Sequence, residues 1–345
     1  MDRGHHVTLV SFSRPPDWVR EHYPASREWL VVPKRRARFD PALLIGLRRL
    51  IKDRHIQVIH AHCETSSFYS GLAGRLSRVP TAGTFHRSAL RYYRANWKSP
   101  LLFGSLNSYI AVSAERRERM HRELGLSPRR TTLIHWGIDP NLVPVVQDRR
   151  RMRRQLGVAG DGHMLLSLGH LGPIKGHQDT ILALQLIRRE LPDVRVYIAG
   201  DGTDKERETL SSQVAELNLG EHVVLLGQIT NPLDWMQACD VFVQPSREEA
   251  FGLVFLEAGL CAVPSVATRV GGIPDTIVDG VTGYLVDAGD VEAIAARVLQ
   301  LLKSPAEALA MGQAARQRIL EHFNLSRQID CLEAHLLKLS GSKKP

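Results

Sequence analysis

The chain is poor in cysteine and has neither a long apolar run nor an apolar leader. Its four cysteines, Cys63, Cys239, Cys261 and Cys331, stand far apart along 345 residues. That spacing argues for reduced thiols in the cytoplasm and against a disulfide framework or a zinc site. A membrane-crossing helix needs about eighteen consecutive apolar residues, and no such run occurs. Met1-Asp2-Arg3-Gly4-His5-His6 lacks the apolar core of a signal peptide. There is no repeat at a fixed short period and no low-complexity tract, which sets aside a repeat array.

The sequence does hold enough apolar residues, 43%, for a packed interior, and its length implies two domains. Charge is unevenly spread. Residues 1–155 carry 29 Lys and Arg against 12 Asp and Glu, a balance of +17, which leaves −8 for the remainder of a chain of net charge +9. A basic half attracts anionic surfaces such as phospholipid headgroups, lipid-linked phosphates or nucleic acid. A soluble face that happens to use arginine explains the same numbers equally well.

Strand and helix patterns alternate, which implies parallel sheets with helices on both faces. In the first half, Val7–Phe12, Ile56–His60, Thr81–Phe85 and Tyr109–Val112 read as strands. Asp40 and Pro41 open a helix as N-cap and first helical residue, with an apolar stripe of Leu43, Leu44, Leu47, Leu50 and Ile51. Small residues from Ser66 to Gly74 suggest a closely packed helix. The pattern pauses between Gly137 and Gly160, where Pro140, Pro144 and Gln147-Asp148-Arg149-Arg150-Arg151 read as an interdomain link. It then restarts with strands at Met164–Leu168, Val194–Ala199, Val223–Leu226, Val241–Gln244, Ser265–Ala267 and Tyr284–Val286. Gln178–Glu190 and Val291–Leu302 read as helices, and a helical tail runs from Pro305 to Leu339.

Ligands of open parallel sheets sit at the carboxyl ends of strands, and four loops there carry unusual residues. Gly169-His170-Leu171-Gly172-Pro173-Ile174-Lys175-Gly176 offers glycines for close backbone approach to a phosphate and a lysine as point charge. Gly200-Asp201-Gly202 follows another strand, but Lys205 occupies the place where a dinucleotide fingerprint needs a third glycine. Gln244-Pro245-Ser246-Arg247-Glu248-Glu249-Ala250-Phe251-Gly252-Leu253 leads into an apolar helix bearing Glu257. On one continuous helix, Glu249 and Glu257 would lie about 12 Å apart. The amides of Phe251, Gly252 and Leu253 would face an anion. The plainer reading has Glu249 capping the helix and Glu257 paired with an arginine. The fourth loop is Arg269-Val270-Gly271-Gly272-Ile273-Pro274-Asp275.

These loops, in this order, resemble the retaining family 4 glycosyltransferases of GT-B fold. The resemblance rests on Gly169-His170-Leu171…Lys175-Gly176, Gly200-Asp201-Gly202, Glu249…Glu257, Gly271-Gly272-Ile273-Pro274 and Thr282-Gly283-Tyr284-Leu285-Val286. It extends more weakly through Val58-Ile59-His60-Ala61-His62, Thr84-Phe85-His86, Ala111-Val112-Ser113 and Gly137-Ile138-Asp139. It implies two Rossmann-like parallel-sheet domains facing a cleft: an acceptor-side domain over 1–145 and a nucleotide-sugar domain over 146–310. A helical tail over 311–345 would pack back on the first domain.

The resemblance also implies roles. Gly169, His170, Lys175, Gly200, Gly202, Phe251, Gly252, Leu253 and Glu257 would bind the donor, with Lys175 on the diphosphate and Glu257 on the ribose. Glu249 and His86 would touch the transferred sugar and serve catalysis. The donor would be UDP- or GDP-linked, with no metal or other cofactor. The acceptor would be a glycan or a lipid-linked glycan, as in bacterial cell-surface polysaccharide or lipopolysaccharide synthesis. The protein would be cytoplasmic, with peripheral contact to an anionic membrane through the basic half and no nucleic-acid partner.

Three residues or segments depart from the family pattern. His170 replaces an arginine that clamps the diphosphate, so donor binding is expected to be weaker or pH-sensitive. Trp136 replaces an asparagine. Arg3–Val10 resembles the family's second strand, which implies that its first strand, glycine loop and first helix are absent and that the first domain is incomplete at its start. A misplaced start codon would account for this, and the coding DNA upstream of Met1 decides it.

Other features have less specific readings. His60 and His62 project to one side of a strand and could suggest a metal, but no partner at ligand spacing supports one. Arg87, Arg91, Arg94 and Lys98 around Tyr92, Tyr93 and Trp97 suit a membrane surface or an anionic acceptor, as does Lys34-Arg35-Arg36-Ala37-Arg38. A solvated face explains either run. Rival functions are a nucleotide-sugar epimerase or sugar phosphorylase on the same fold, and a non-catalytic nucleic-acid-binding protein. The last predicts salt-sensitive binding but leaves the Glu249–Glu257 segment unexplained.

Overall fold

A computed structural model describes residues 3–15, 29–86, 99–143, 148–158 and 162–341. The basic-aromatic cluster from Arg87 to Lys98, and Pro144 and Gln147 of the expected link, lie outside them. The chain forms two compact units. One comprises Met1–Val112, Arg117–Ile134 and Asp330–Pro345; the other comprises Ser113–Arg116 and His135–Ile329. This division runs differently from boundaries at 145 and 310. Besides Ser113–Arg116, the second unit runs from His135 and keeps the helix of residues 305–322, and of the chain's end only residues from Asp330 onward group with the first.

In the first unit, β1 (Leu9–Ser11) pairs in parallel with β2 (Trp29–Val31). Then follow α1 (Pro41–Asp53), β3 (Ile59–His62), α2 (Cys63–Ser77), β4 (Thr81–Thr84), α3 (Ser99–Ser105), β5 (Ser108–Ala111), α4 (Ala114–Leu124, whose first turn groups with the second unit) and β6 (Thr131–Leu133). Strands β3-β4-β5-β6 make one parallel sheet. Asp40 caps α1 by accepting the N–H groups of Ala42 (3.1 Å) and Leu43 (3.3 Å). The stripe of α1 buries Leu43, Leu47 and Ile51, each stabilising by roughly 1.5–3 kcal/mol. Helix α2 packs as closely as its small residues suggest. A Cβ on Gly71 would stand 2.4 Å from Ser105 Oγ, and one on Gly74 2.3 Å from Thr81 Oγ1.

The strand expected over Ile56–His60 is displaced to Ile59–His62. Ile56 donates its N–H to Ile51 O at 3.0 Å, so its backbone closes α1, and the ladder begins with Ile59 N–H on Pro80 O. The last helix seals this unit: Leu332, Leu336 and Leu339 pack on Ala82, Ile110 and Ile134. His335 bridges Ser108 Oγ (2.9 Å) and Thr132 Oγ1 (3.2 Å).

The second unit contains α5 (Arg149–Gln155), β7 (Met164–Leu168), α6 (His177–Ile187), β8 (Arg195–Ala199), α7 (Asp204–Glu216), β9 (Val223–Gly227), α8 (Pro232–Ala238), β10 (Val241–Gln244), α9 (Leu253–Leu260), β11 (Ser265–Thr268), α10 (Ile273–Thr276), β12 (Tyr284–Val286), α11 (Val291–Lys303) and α12 (Pro305–His322). Helix α13 (Leu325–Ser340) starts in this unit and ends in the first. The arginine run read as part of a link opens α5 instead, because Asp148 accepts the N–H of Arg151 (2.9 Å) as an N-cap. The sheet order is β12-β11-β10-β7-β8-β9, all parallel. Strands β7, β10 and β11 are buried on both faces, as a parallel sheet between helical layers requires. The expected single helical tail is two helices. They break at Phe323 and Asn324, where Ile138 inserts its backbone between Phe323 O and Leu325 N–H. Among the described residues, no helix is long and apolar enough to cross a membrane.

Candidate functional site

Order reversal in the six-stranded sheet falls between β7 and β10, the place where an open parallel sheet leaves a crevice at its carboxyl ends. The loops of the sequence reading leave these strand ends. Glycines at their contacts let atoms of a neighbouring loop approach closely. A Cβ on Gly200 would lie 1.7 Å from Gly169 O, one on Gly176 2.0 Å from Pro245 O, and one on Gly271 1.7 Å from Glu249 O. Gly202 lies against Leu171, whose N–H donates to Asp201 O at 2.9 Å.

Lys175 and Glu249 meet across this lattice, Nζ to Oε2 at 2.6 Å. Gly252, with φ of 92°, sits beside Glu249 and opens α9 as an N-cap with no capping side chain. The first N–H groups of α9 therefore have no intrahelical acceptor and carry the positive end of the helix dipole. The exposed Leu253 and the buried Phe251 flank that opening. Because α9 begins at Leu253, Glu249 is not on it, and the 12 Å helical separation from Glu257 does not apply. Nor does Glu249 cap the helix; it pairs with Lys175. Glu257 lies one and a half turns into α9, about 7.5 Å along the axis from Gly252. Burial without a compensating charge raises its carboxyl to about 7.

His170 is exposed at the rim. Its Nδ1 accepts the N–H of Gly172 at 3.0 Å and stands 3.8 Å from Glu206. The ring is therefore turned toward its own loop. His86 falls in the first unit, at the carboxyl end of β4, and the other ten expected residues fall in the second. Its Nε2 shares a hydrogen bond with His62 Nδ1 at 2.9 Å, and the rings stack at 5.2 Å. Burial and the His62 ring together push His86 down to about 4. Burial likewise pushes His60 down to about 3, and Thr84 Oγ1 lies 2.9 Å from its Nε2. No group of three His, Cys, Asp or Glu among the described residues is arranged to hold a metal.

Several residues that organise the site escape a reading by loops alone. Gln244, fully buried at the end of β10, accepts the N–H of Leu168 (3.0 Å) and donates to Lys175 O, tying the first loop to the third. His177, buried behind the lysine, contacts Ser167 Oγ (2.9 Å) and donates to Gly169 O (3.4 Å); desolvation lowers it to about 4. Arg247 is tied to the first loop and to α6. Asp179 holds its guanidinium at 3.0 Å, and its N–H donates to Ile174 O. Asp275 accepts from Ala114 N–H (2.7 Å) and pairs with His135 (2.9 Å), whose ring stacks on Phe251 at 5.7 Å. That network fixes the aromatic residue one place before the α9 cap. The sequence signal for Gln244 was a polar residue ending an apolar strand, since a buried amide must find partners.

Gly271→Ala tests the lattice. The φ of 53° and the Glu249 carbonyl leave no space for a methyl group, so the Glu249 loop must shift. A loss of about 1–3 kcal/mol in urea denaturation is expected, with weakened nucleotide binding. Unchanged stability would show that the two loops do not depend on this contact.

Residues 148–318 match glycosyl transferases group 1, and residues 1–142 match glycosyltransferase family 4. The chain is 39% identical over 199 residues to a GDP-mannose-dependent alpha-(1-6)-phosphatidylinositol monomannoside mannosyltransferase of Mycolicibacterium smegmatis. That stretch covers 54% of this chain and only 51% of the relative, about half its length. It is 33% identical over 302 residues to N-acetyl-alpha-D-glucosaminyl L-malate synthase of Bacillus anthracis, covering 86% of this chain and 78% of the relative. The fold matches HepE of Anabaena, solved with UDP and glucose, with a TM-score of 0.81 at 21% identity over 95% of this chain and 91% of the other. With its five loop motifs, its two parallel-sheet units and relatives matched along most of its length, the chain belongs to the family 4 glycosyltransferases of GT-B fold.

Proposed function

We propose that the protein moves a hexose-type sugar from a UDP- or GDP-linked donor to a glycan or lipid-linked acceptor, with retention of configuration and without a metal. The observation that carries this reading is the meeting of Lys175, Glu249 and the uncapped start of α9 on one lattice of glycine contacts. A cation, a dipole end and close-approaching backbone suit a diphosphate, and Glu257 beyond them suits ribose hydroxyls. Such preorganised groups stabilise negative charge as it develops on a departing diphosphate. The Mycolicibacterium and Bacillus relatives, by their names, act in phosphatidylinositol mannoside and glucosaminyl-malate synthesis, and HepE was solved with UDP. These support a nucleotide-sugar donor, and the first supports a lipid-linked acceptor. Peripheral contact with an anionic membrane fits the balance of +17 in residues 1–155.

A thermal-shift panel of nucleoside diphosphates and nucleotide sugars tests the reading. A ligand of the native state stabilises by about 2.7 kcal/mol at a hundred times its Kd. One base should raise the melting temperature above the others. No shift from any uridine or guanosine diphosphate would remove the donor assignment. Incubation with donor alone should leave the sugar unchanged, which separates transfer from epimerisation.

A further inference from the structure

Three imidazoles of the first unit, His60, His62 and His86, gather toward the carboxyl ends of β3 and β4, and the donor reading gives a role to His86 alone. His62 faces Thr84 across the parallel ladder, and His86 follows two residues further along the neighbouring chain. The His62 ring therefore reaches along a diagonal that long or aromatic side chains can span. His60 faces Ala82 and makes the same diagonal reach, to Thr84. The rings of His60 and His62 lie 4.2 Å apart on one side of the strand. The row ends where His62 Nδ1 meets His86 Nε2 at 2.9 Å.

The fold does not require an imidazole at position 62. The residue closes β3 and is not part of the unit's apolar core. Its backbone is held without the ring, by the ladder to Thr84 and by the Ser66 hydroxyl, which donates to His62 O. His86 lies two residues past the end of β4, outside that ladder. A ring on fixed backbone thus meets a ring on backbone that has left the sheet. The His60 contact dictates little, because a threonine hydroxyl donates or accepts as needed. Two imidazoles have no such freedom. Partial desolvation holds His62 below the ordinary histidine range, and His86 lies at about 4, so both are neutral near pH 7. A neutral imidazole has one N–H and one bare nitrogen, so a bond between two of them needs one donor and one acceptor. If His62 donates from Nδ1, His86 carries its proton on Nδ1. If His86 donates from Nε2, His62 carries its proton on Nε2. In either arrangement both rings adopt the same tautomer.

We propose that His62 is a positioning residue for His86: the hydrogen bond they share fixes the plane and the tautomer of the ring that meets the transferred sugar. A sugar hydroxyl then meets one defined donor or acceptor, rather than a ring that turns and exchanges its proton between two nitrogens. Fixing one imidazole nitrogen through a bond to the other is a general way of deciding which atom acts. The inference rests on the reading that His86 touches the transferred sugar, and adds a residue that acts only through His86.

Long-range proton–nitrogen NMR of the full chain, labelled at histidine, reads the tautomers. Wild type should hold His86 in one tautomer, matched by His62, and a mixture at His86 overturns the proposal without any variant. His62→Ala should leave His86 mixed. His62→Asn, whose amide can take the place of Nδ1, should restore a single form. Calorimetry supplies the functional readout, with UDP against UDP-glucose and GDP against GDP-mannose. The ratio of diphosphate Kd to nucleotide-sugar Kd isolates what the sugar contributes. For the pair that binds, His62→Ala should lower this ratio by about three- to tenfold, the worth of one hydrogen bond, and leave the diphosphate Kd unchanged. His62→Asn should recover most of it. A His86 tautomer that is the same in wild type and His62→Ala overturns the proposal, as does a ratio that falls in His86→Ala but not in His62→Ala. A ratio unmoved by His86→Ala removes the role given to His86, and the positioning with it. If wild type binds neither pair, the donor reading fails and the tautomers alone decide.

Discussion

Lys175→Ala should lower kcat/KM for sugar transfer by about 10²–10³-fold, the cost of removing one preorganised group that stabilises developing charge. The lysine sits at the end of a short 3-10 turn, Pro173–Lys175, between Gly172 and the left-handed Gly176. Its carbonyl is held by Gln244 and its Nζ by Glu249. The ammonium is therefore aimed before any ligand arrives. Removing it also leaves the Glu249 carboxylate without its counter-charge beside a bound diphosphate, so repulsion adds to the loss. Lys175→Arg retains the charge but replaces a compact ammonium with a planar fork, and an intermediate loss is expected. Steady-state kinetics with the donor identified by thermal shift, together with nucleoside-diphosphate affinity, read both effects. A change of less than about threefold in kcat/KM for the alanine variant would take Lys175 out of the mechanism.

Glu257 sets a pH dependence of opposite consequence for stability and for binding. Its carboxyl is raised from an ordinary 4.5 to about 7 by burial. The native state then holds a proton that the unfolded state has already released, so this group's contribution is fully present below about pH 4.5 and is lost as pH rises through 7. Two and a half pH units correspond to about 3 kcal/mol. Glu257→Gln removes that dependence, and relative to wild type it should gain up to about 3 kcal/mol in urea denaturation between pH 5 and pH 8. Binding runs the other way. Ribose hydroxyls donate to a carboxylate, so nucleotide affinity should tighten in wild type as pH rises toward 7 and above. Glu257→Ala should raise Kd by roughly 10–100-fold through loss of charge-assisted hydrogen bonds. The ratio of variant to wild-type Kd across pH cancels the titration of the ligand itself. A ratio that does not vary with pH, with no stability difference between pH 5 and pH 8, would place the carboxyl in an ordinary solvated environment.

The two predictions are linked through α9. A helix that starts without a capping side chain and half-buries a carboxylate one and a half turns later is locally unfavourable on both counts. Residues that break local rules without a structural gain are where a functional or strained site is expected. Gly252 and Glu257 are two such residues in one short helix, and Lys175 with Glu249 provides the charge pair beside them.

Much of the site was legible because glycine and strand ends are local signals. A strand followed by Gly-x-Gly, or by glycines and a lysine, states in a few residues that backbone must approach closely at a sheet edge. The N-cap of α1 and the twofold alternation of strands with helices are equally local. Less legible was whatever depends on what a polar atom meets in space. Gln244 looked like the end of a strand and Asp275 like the end of a loop. Each proves to join segments distant in sequence, because an amide or carboxylate shielded from water must be paired. The start of β3 was misplaced for the same reason: Ile56 has strand propensity, but its N–H is taken by the helix before it.

Sequence alone determined the alternating parallel architecture, the asymmetry of charge and the positions of the glycine loops, since each follows from residue type and short spacing. Only the tertiary structure decided that Glu249 pairs with Lys175 rather than capping α9, and that Glu257 is half-buried without a counter-charge. Those outcomes turn on which groups are brought together and how much water is removed from them, and desolvation is a property of the folded surroundings rather than of any residue.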